Sequence, residues 1–305
     1  MFINVLTQVI ILFILIFVGV ILAKCKILND TAVKSMTDFV LMVVTPCVII
    51  KSFIREFEPA LLQKLLINVT ATVFIHFLFI ILSRLLLKSK NLSEQKVLQF
   101  GVIFSNCGFM SIPLQQAILG EEGVFLAASY VAIFNLFVWS YGVLLMSGDK
   151  KYLAPKKLIL NPGVAGVLVG LVIFLLSIPI PKIIAEPISY FAALNTPIPM
   201  VIIGYHLANS SILAGVKNIR CLWGIALRLF IFPLTALAIL YLFGIRGDML
   251  VSLAISCCAP TAANTTMFAT KYGGDTSLSV NMVSLSTLFS LISMPVIVTL
   301  AQYIA

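Results

Sequence analysis

The chain has 305 residues, 61% of them apolar and only 10% charged, with a formal net charge of +9 and a mean hydropathy of +1.14. A soluble domain carries roughly 25% charged residues, so this composition excludes a soluble globular protein. The apolar runs are about 20 residues long and uncharged inside, which predicts membrane-spanning helices; a transmembrane barrel would read as ~10-residue alternating stretches.

Ten spans are predicted, near residues 3–23, 33–54, 61–87, 97–119, 122–147, 159–179, 186–208, 218–243, 249–270 and 276–303. The first is not expected to be a cleaved signal peptide, because its basic residues, Lys24 and Lys26, follow it rather than precede it. Span 2 carries Thr45-Pro46 and span 3 carries His76. Span 4 is interrupted by Ser105-Asn106-Cys107-Gly108, with Ser111-Ile112-Pro113 just beyond. The longest connection runs from Ser147 to Leu158 and is rich in Lys. It divides a first unit, 1–147, from a second, 159–305, with 148–158 as the linker. Span 7 carries Asn195-Thr196-Pro197, span 8 carries Arg228, and span 9 is interrupted by Ala259-Pro260-Thr261-Ala262-Ala263-Asn264.

Breaks of this composition free backbone N–H and C=O groups that hydrocarbon cannot satisfy, so they survive only where protein or a cavity surrounds them. Breaks in corresponding spans of two halves mark a transporter's binding site. Five spans per half is an odd number, so the second half enters the membrane from the opposite side and the halves are inverted repeats. Thr45-Pro46 in span 2 matches Thr196-Pro197 in span 7, and each broken span is followed by a Gly-acid pair, Gly120-Glu121 and Gly274-Asp275.

Fourteen of the 20 Lys and Arg lie in the loops after the odd-numbered spans, five lie in the opposite loops, and Arg228 is inside a span. The positive-inside rule then predicts a cytoplasmic linker and both termini outside a cell membrane. The net charge is thus an orientation signal, and no nucleic-acid partner is expected. The six Cys residues show no C-x-x-C spacing and read as small buried hydrophobes.

The chemistry of the breaks points to an anion. A restarted half-helix presents unpaired N–H groups and its positive dipole end, and Pro113 and Pro260 suit a first helical turn. Ser105, Asn106, Thr261, Asn264 and Thr265 supply neutral donors for a carboxylate. These Asn residues can equally serve as helix caps. Arg228 reads two ways, as a fixed charge that concentrates anions or as a snorkelling side chain. Acids are missing from both breaks. Asp38 and Glu186 fall in first turns and Asp30 in a loop, which argues against a proton/cation antiporter with a midplane carboxylate.

Ser105-Asn106-Cys107-Gly108-Phe109-Met110-Ser111-Ile112-Pro113-Leu114 resembles the S-N-x-G-(F)-x-G/S-x-P-L element of the auxin efflux carrier family. Pro260-Thr261-Ala262-Ala263-Asn264 followed by Tyr272-Gly273-Gly274-Asp275 resembles that family's P-T-A-A-N…Y-G-G-D element more closely still. Arg228 through Pro233 is similar to its basic-x-x-x-x-Pro pattern. The resemblance covers essentially the whole chain. It implies an all-α membrane fold of ten helices shared with sodium/bile-acid symporters, with the broken helices 4 and 9 crossing at the bilayer centre. It also implies export or exchange of small organic anions, including dicarboxylates such as malate. The short linker, and Thr45 where plant auxin carriers have Asp before the proline, make auxin a poor substrate.

The expected function is a secondary carrier of small organic anions without enzyme activity, since no H-E-x-x-H, G-x-S-x-G or paired Asp occurs. A sodium- or proton-coupled symporter is the alternative, and a channel the third reading. The candidate substrate-contacting residues are Thr45, Pro46, Asn106, Gly108, Pro113, Asn195, Pro197, Arg228, Pro260, Thr261, Asn264 and Thr265. No cofactor or metal is expected. The expected partners are the anion and the lipid bilayer, with a homodimer left open.

Overall fold

The computed structural model describes residues 2–152, 162–210 and 212–305. Most of the predicted linker therefore lies outside the described residues. The described chain is helical: α1 Phe2–Lys24, α2 Asp30–Phe53, α3 Pro59–Leu86, α4 Leu92–Ile103, α5 Cys107–Ser147, α6 Pro162–Leu175, α7 Lys182–Ala208, α8 Ile219–Leu242, α9 Gly247–Cys258, α10 Asn264–Tyr272 and α11 Thr276–Ile304.

Among the described residues seven helices, α1, α2, α3, α5, α7, α8 and α11, are long and apolar enough to cross a bilayer. That is fewer than the ten expected spans, and the reason is physical. The two breaks cut the fourth and ninth expected spans into pieces of 12 residues or fewer on one side, and the sixth expected span, 159–179, begins outside the described residues, where α6 covers Pro162–Leu175. A 12-residue helix rises only about 18 Å, against a hydrocarbon core of ~30 Å. Conversely α5 has 41 residues, about 60 Å if straight, because it joins the far half of span 4 to span 5. It is not straight. Gly120 stands at φ 65, ψ −148, a conformation open to glycine and costly for other residues, and the helix turns there.

Proline shapes three helices, α2, α5 and α8, by a different means. Pro46, Pro113 and Pro233 each follow a widened π turn, at Val40–Val44, Cys107–Ser111 and Leu227–Ile231. Proline has no N–H to donate and its ring clashes with the carbonyl four residues back, so the preceding turn opens. In each case the turn ends two residues before the proline.

Two sequence expectations need correction. Pro260 does not sit in a helical first turn; it lies in the extended break, preceded by Ala259 at φ −59, ψ 149, the conformation a following proline imposes. Asp30 opens α2, where it accepts a hydrogen bond from Tyr205 Oη at 2.8 Å, so Asp38 lies well beyond the first turn; Glu186 is likewise a full turn inside α7.

Packing is tightest where α1 meets α7. A Cβ on Gly204 would lie 2.0 Å from Ile16 O, and one on Gly19 would lie 2.3 Å from Val201 O. Backbones at such range require glycine. The main core includes Phe53, Phe79, Phe100, Phe104, Phe125, Phe174, Phe232 and Phe268. His76 is buried in this aromatic region, stacked on Phe137, with Nδ1 2.8 Å from Thr72 O. Cys107, Cys221, Cys257 and Cys258 are buried, Cys47 is partly buried and Cys25 is exposed.

Candidate functional site

The two breaks lie against each other and pair. Asn106 N–H donates to Pro260 O at 2.7 Å, and Ala262 N–H donates to Phe104 O at 2.9 Å, an antiparallel bridge centred on Ser105 and Thr261. Each break thus satisfies freed backbone of the other, which is how extended chain persists inside a buried helical core. Thr261 completes the junction: its N–H donates to Ser286 Oγ at 3.1 Å, and its hydroxyl donates to Gly101 O at 3.1 Å. Beside it, Gln115 accepts from Ser252 Oγ at 2.6 Å and donates to Ser256 Oγ at 2.9 Å, stitching α5 to α9.

Four half-helix ends meet here. The starts of α5 and α10 bring their positive dipole ends to one side, and at α10 the Thr265 and Thr266 N–H groups donate back to Ala262 O at 3.0 Å and Ala263 O at 3.2 Å. Asn106 caps the first of them, its Oδ1 accepting from Phe109 N–H at 3.4 Å. Asn264 opens α10, and its side chain makes no hydrogen bond among the described residues. The ends of α4 and α9 point their last carbonyls to the other side, where Arg228 receives them. Its Nε donates to Ala259 O at 3.1 Å, Nη1 to Val102 O at 2.9 Å and Ile103 O at 3.4 Å, and Nη2 to Cys257 O.

Two small adjoining cavities open beside the starts. One, of about 50 Å³, is lined by Thr45, Ser105, Asn106, Gly108, Asn135 and Asn264, together with Phe109 and Phe134. The other, of about 110 Å³, shares Leu41, Thr45, Asn135 and Asn264 and adds Trp139 and Met267. Among the described residues the hydroxyls of Thr45 and Ser105 are buried without a partner, as is that of neighbouring Thr265. Unsatisfied buried donors cost roughly 1–3 kcal/mol each, which a ligand able to accept from them would return. Among the described residues no Asp or Glu lines either cavity.

A third cavity, of about 220 Å³, lies between α2, the first part of α5, and α7. Lys51, Arg55, Ser52, Pro113, Gln116, Glu121, Asn195 and Thr196 line it. Arg55 is held by backbone oxygens, Nε to Ser52 O at 2.9 Å and Nη2 to Glu121 O at 3.2 Å, with its guanidinium 4.8 Å over the Phe125 ring. Burial pulls the Arg55 guanidinium down from its ordinary value, opposed by Glu121, Glu122 and Glu58. Glu122 is already paired with Lys64 at 2.5 Å. Asn195 joins the two regions: it lines the basic cavity, and its Nδ2 lies 3.5 Å from the carbonyl of Gly108, a wall of the small cavity. Its Oδ1 has no partner among the described residues.

The sequence candidates therefore separate into groups. Thr45, Asn106, Gly108 and Asn264 share the small cavity, Pro113 and Asn195 line the basic one, and Thr261 and Pro260 are engaged within the junction. Pro46 and Pro197 occupy first-turn positions of the helical segments Thr45–Phe53 and Pro197–Ala208. Sequence reasoning overlooked Asn135, although an Asn amid the apolar run of span 5 was a usable signal. It also overlooked the Lys51–Arg55 cavity, whose third wall comes from α7.

A paired junction of two broken helices, edged by polar cavities, is a transporter's architecture, and comparison with known proteins agrees. The family model described as "Membrane transport protein" matches residues 4–298. The chain belongs to this family. It is the auxin efflux carrier type of membrane transport family, as the two motifs at the breaks indicate. An uncharacterized transporter of Methanothermobacter thermautotrophicus is 25% identical over 286 residues, covering 92% of this chain and 93% of that protein. This family member is a multi-pass membrane protein.

Proposed function

We propose that this protein is a secondary transporter of small organic anions that works by alternating access, with the substrate at the junction of the two breaks. One observation carries the reading: the starts of α5 and α10 converge on a small cavity where, among the described residues, Thr45 and Ser105 hold unpartnered hydroxyls, Asn264 has an uncommitted amide, and no carboxylate competes. Positive dipole ends and neutral side-chain donors suit a carboxylate without a full charge in the wall. The test is counterflow in proteoliposomes with a panel of mono- and dicarboxylates, with and without sodium. Accumulation of at least one carboxylate supports the reading, and failure of the whole panel in a well-folded preparation overturns it.

In this reading the chain crosses the membrane ten times, in two inverted five-helix repeats, with the junction at the midplane. Gly120 turns α5 back at a membrane surface, which makes two passes of one long helix. Both termini lie outside and Asp149 lies in the cytoplasm. A Cys introduced at Asp149 should resist an impermeant thiol reagent applied to intact cells, and one near Phe2 should react. The opposite pattern reverses the orientation.

The basic cavity is then the extracytoplasmic approach to the junction, with Asn195 at its floor. Two cations against the single carboxylate of Glu121 attract an anion. Replacing both Lys51 and Arg55 by Gln should raise KM for anion presented outside by about ten-fold, the lower end of electrostatic steering effects. The maximal rate, and KM for anion presented inside, should stay unchanged. Equal changes on both faces would remove the cavity from the path.

A further inference from the structure

The guanidinium of Arg228 occupies a cation site built by the two broken helices. α4 and α9 both end at the junction, so two negative dipole ends and the orphan carbonyls of Val102, Ile103, Cys257 and Ala259 face one point. Left alone in a buried core, such oxygens would attract a dissociable cation, since half-helix C-termini and unwound carbonyls are how transporters hold coupling ions. Here the position is filled. Arg228 is 0% exposed although it is the largest fully buried side chain among the described residues. Three of its nitrogens donate to four carbonyls drawn from both helices. The Phe79 ring lies 5.6 Å from its guanidinium carbon. The other polar or titratable groups around it are Tyr130, His76, Cys107, Cys257 and Cys258, and no carboxylate is within ion-pairing distance among the described residues.

We propose that Arg228 is a tethered cation that takes the place of a coupling ion: it holds the ends of α4 and α9 together permanently and makes the junction independent of sodium. It is a positioning residue, because its nitrogens are committed to carbonyls and it lines none of the three cavities described. The widened π turn at Leu227–Ile231, forced by Pro233, carries Arg228 at its second residue. The planar fork matters, since one guanidinium reaches carbonyls on two helices where an ammonium is a single point. This inference extends the transporter reading, but its first test needs no transport.

Arg228→Ala and Arg228→Lys are purified beside the parent, and thermal unfolding is followed with added guanidinium chloride, sodium chloride or choline chloride at equal millimolar ionic strength. The Ala variant should melt several degrees below the parent and recover much of that loss in guanidinium but not in choline, while the parent shows no such response. The Lys variant should fall between them. If guanidinium fails to stabilise Arg228→Ala selectively, or if Arg228→Lys melts with the parent, the tethered-cation site is wrong. Should the Ala variant not fold, the Lys variant decides alone. Anion flux then separates the two claims: variants that show the thermal pattern beside a parent that carries no anion overturn the transport reading and leave this one standing.

Discussion

Asn106→Asp and Asn264→Asp should fold as the parent does and lose about 10- to 100-fold in anion flux. The figure is the net worth of a hydrogen bond to a charged group, roughly 1.5–3 kcal/mol, converted at about 1.4 kcal/mol per factor of ten. Asp separates the two roles an Asn can have here. The Asn106 Oδ1 caps α5 by accepting from Phe109 N–H, and a carboxylate accepts that bond as well or better at a positive helix end. What Asp cannot do is donate an N–H to a bound carboxylate, and it adds a like charge beside one. Ala variants lose both roles at once, so Asn106→Ala should also lose stability, about 1 kcal/mol for a cap. Asn264 makes no side-chain bond among the described residues, so Asn264→Ala should lose flux with little change in melting. Flux assays beside thermal unfolding read both effects. Parental flux in the two Asp variants would leave these residues as caps only.

The positions of the breaks were legible because the residues that unwind a helix in a membrane are few. Asn, Gly and Pro clustered in the middle of two apolar runs have no alternative reading in hydrocarbon. What the breaks do to each other was not legible. The bridge between Ser105 and Thr261 joins segments far apart in sequence, and no local pattern encodes which extended backbone meets which. The same limit explains Pro260: a proline before a helix fits a first turn and a break equally, and its hydrogen bond from Asn106 decides the matter. Arg228 was read as either free charge or snorkelling head, because a sequence shows the cation but not the four carbonyls that await it. Lys51 and Arg55 were counted as loop charges for the same reason; the cavity they line needs α7 to close it.

Flux driven by voltage alone is the strongest expectation for coupling. A carrier that returns a proton needs a titratable carboxylate at its site, and the cavities at the junction have none among the described residues. A carrier that uses sodium needs oxygen ligands there, and four junction carbonyls already receive Arg228. What remains to move the substrate is its own gradient and the membrane potential, worth about 2.3 kcal/mol per charge per 100 mV. At 100 mV a monoanion therefore gains close to 50-fold in its equilibrium ratio, and a dianion the square of that. An inside-negative potential thus favours efflux. In proteoliposomes loaded with a transported carboxylate, a potassium–valinomycin potential should set the direction and extent of flux at equal pH and without sodium. Reversing the potential should reverse the flux. Movement that ignores the potential and follows only an imposed sodium or proton gradient would replace the uniporter with a coupled symporter. It would also require a coupling site away from the carbonyls that Arg228 fills.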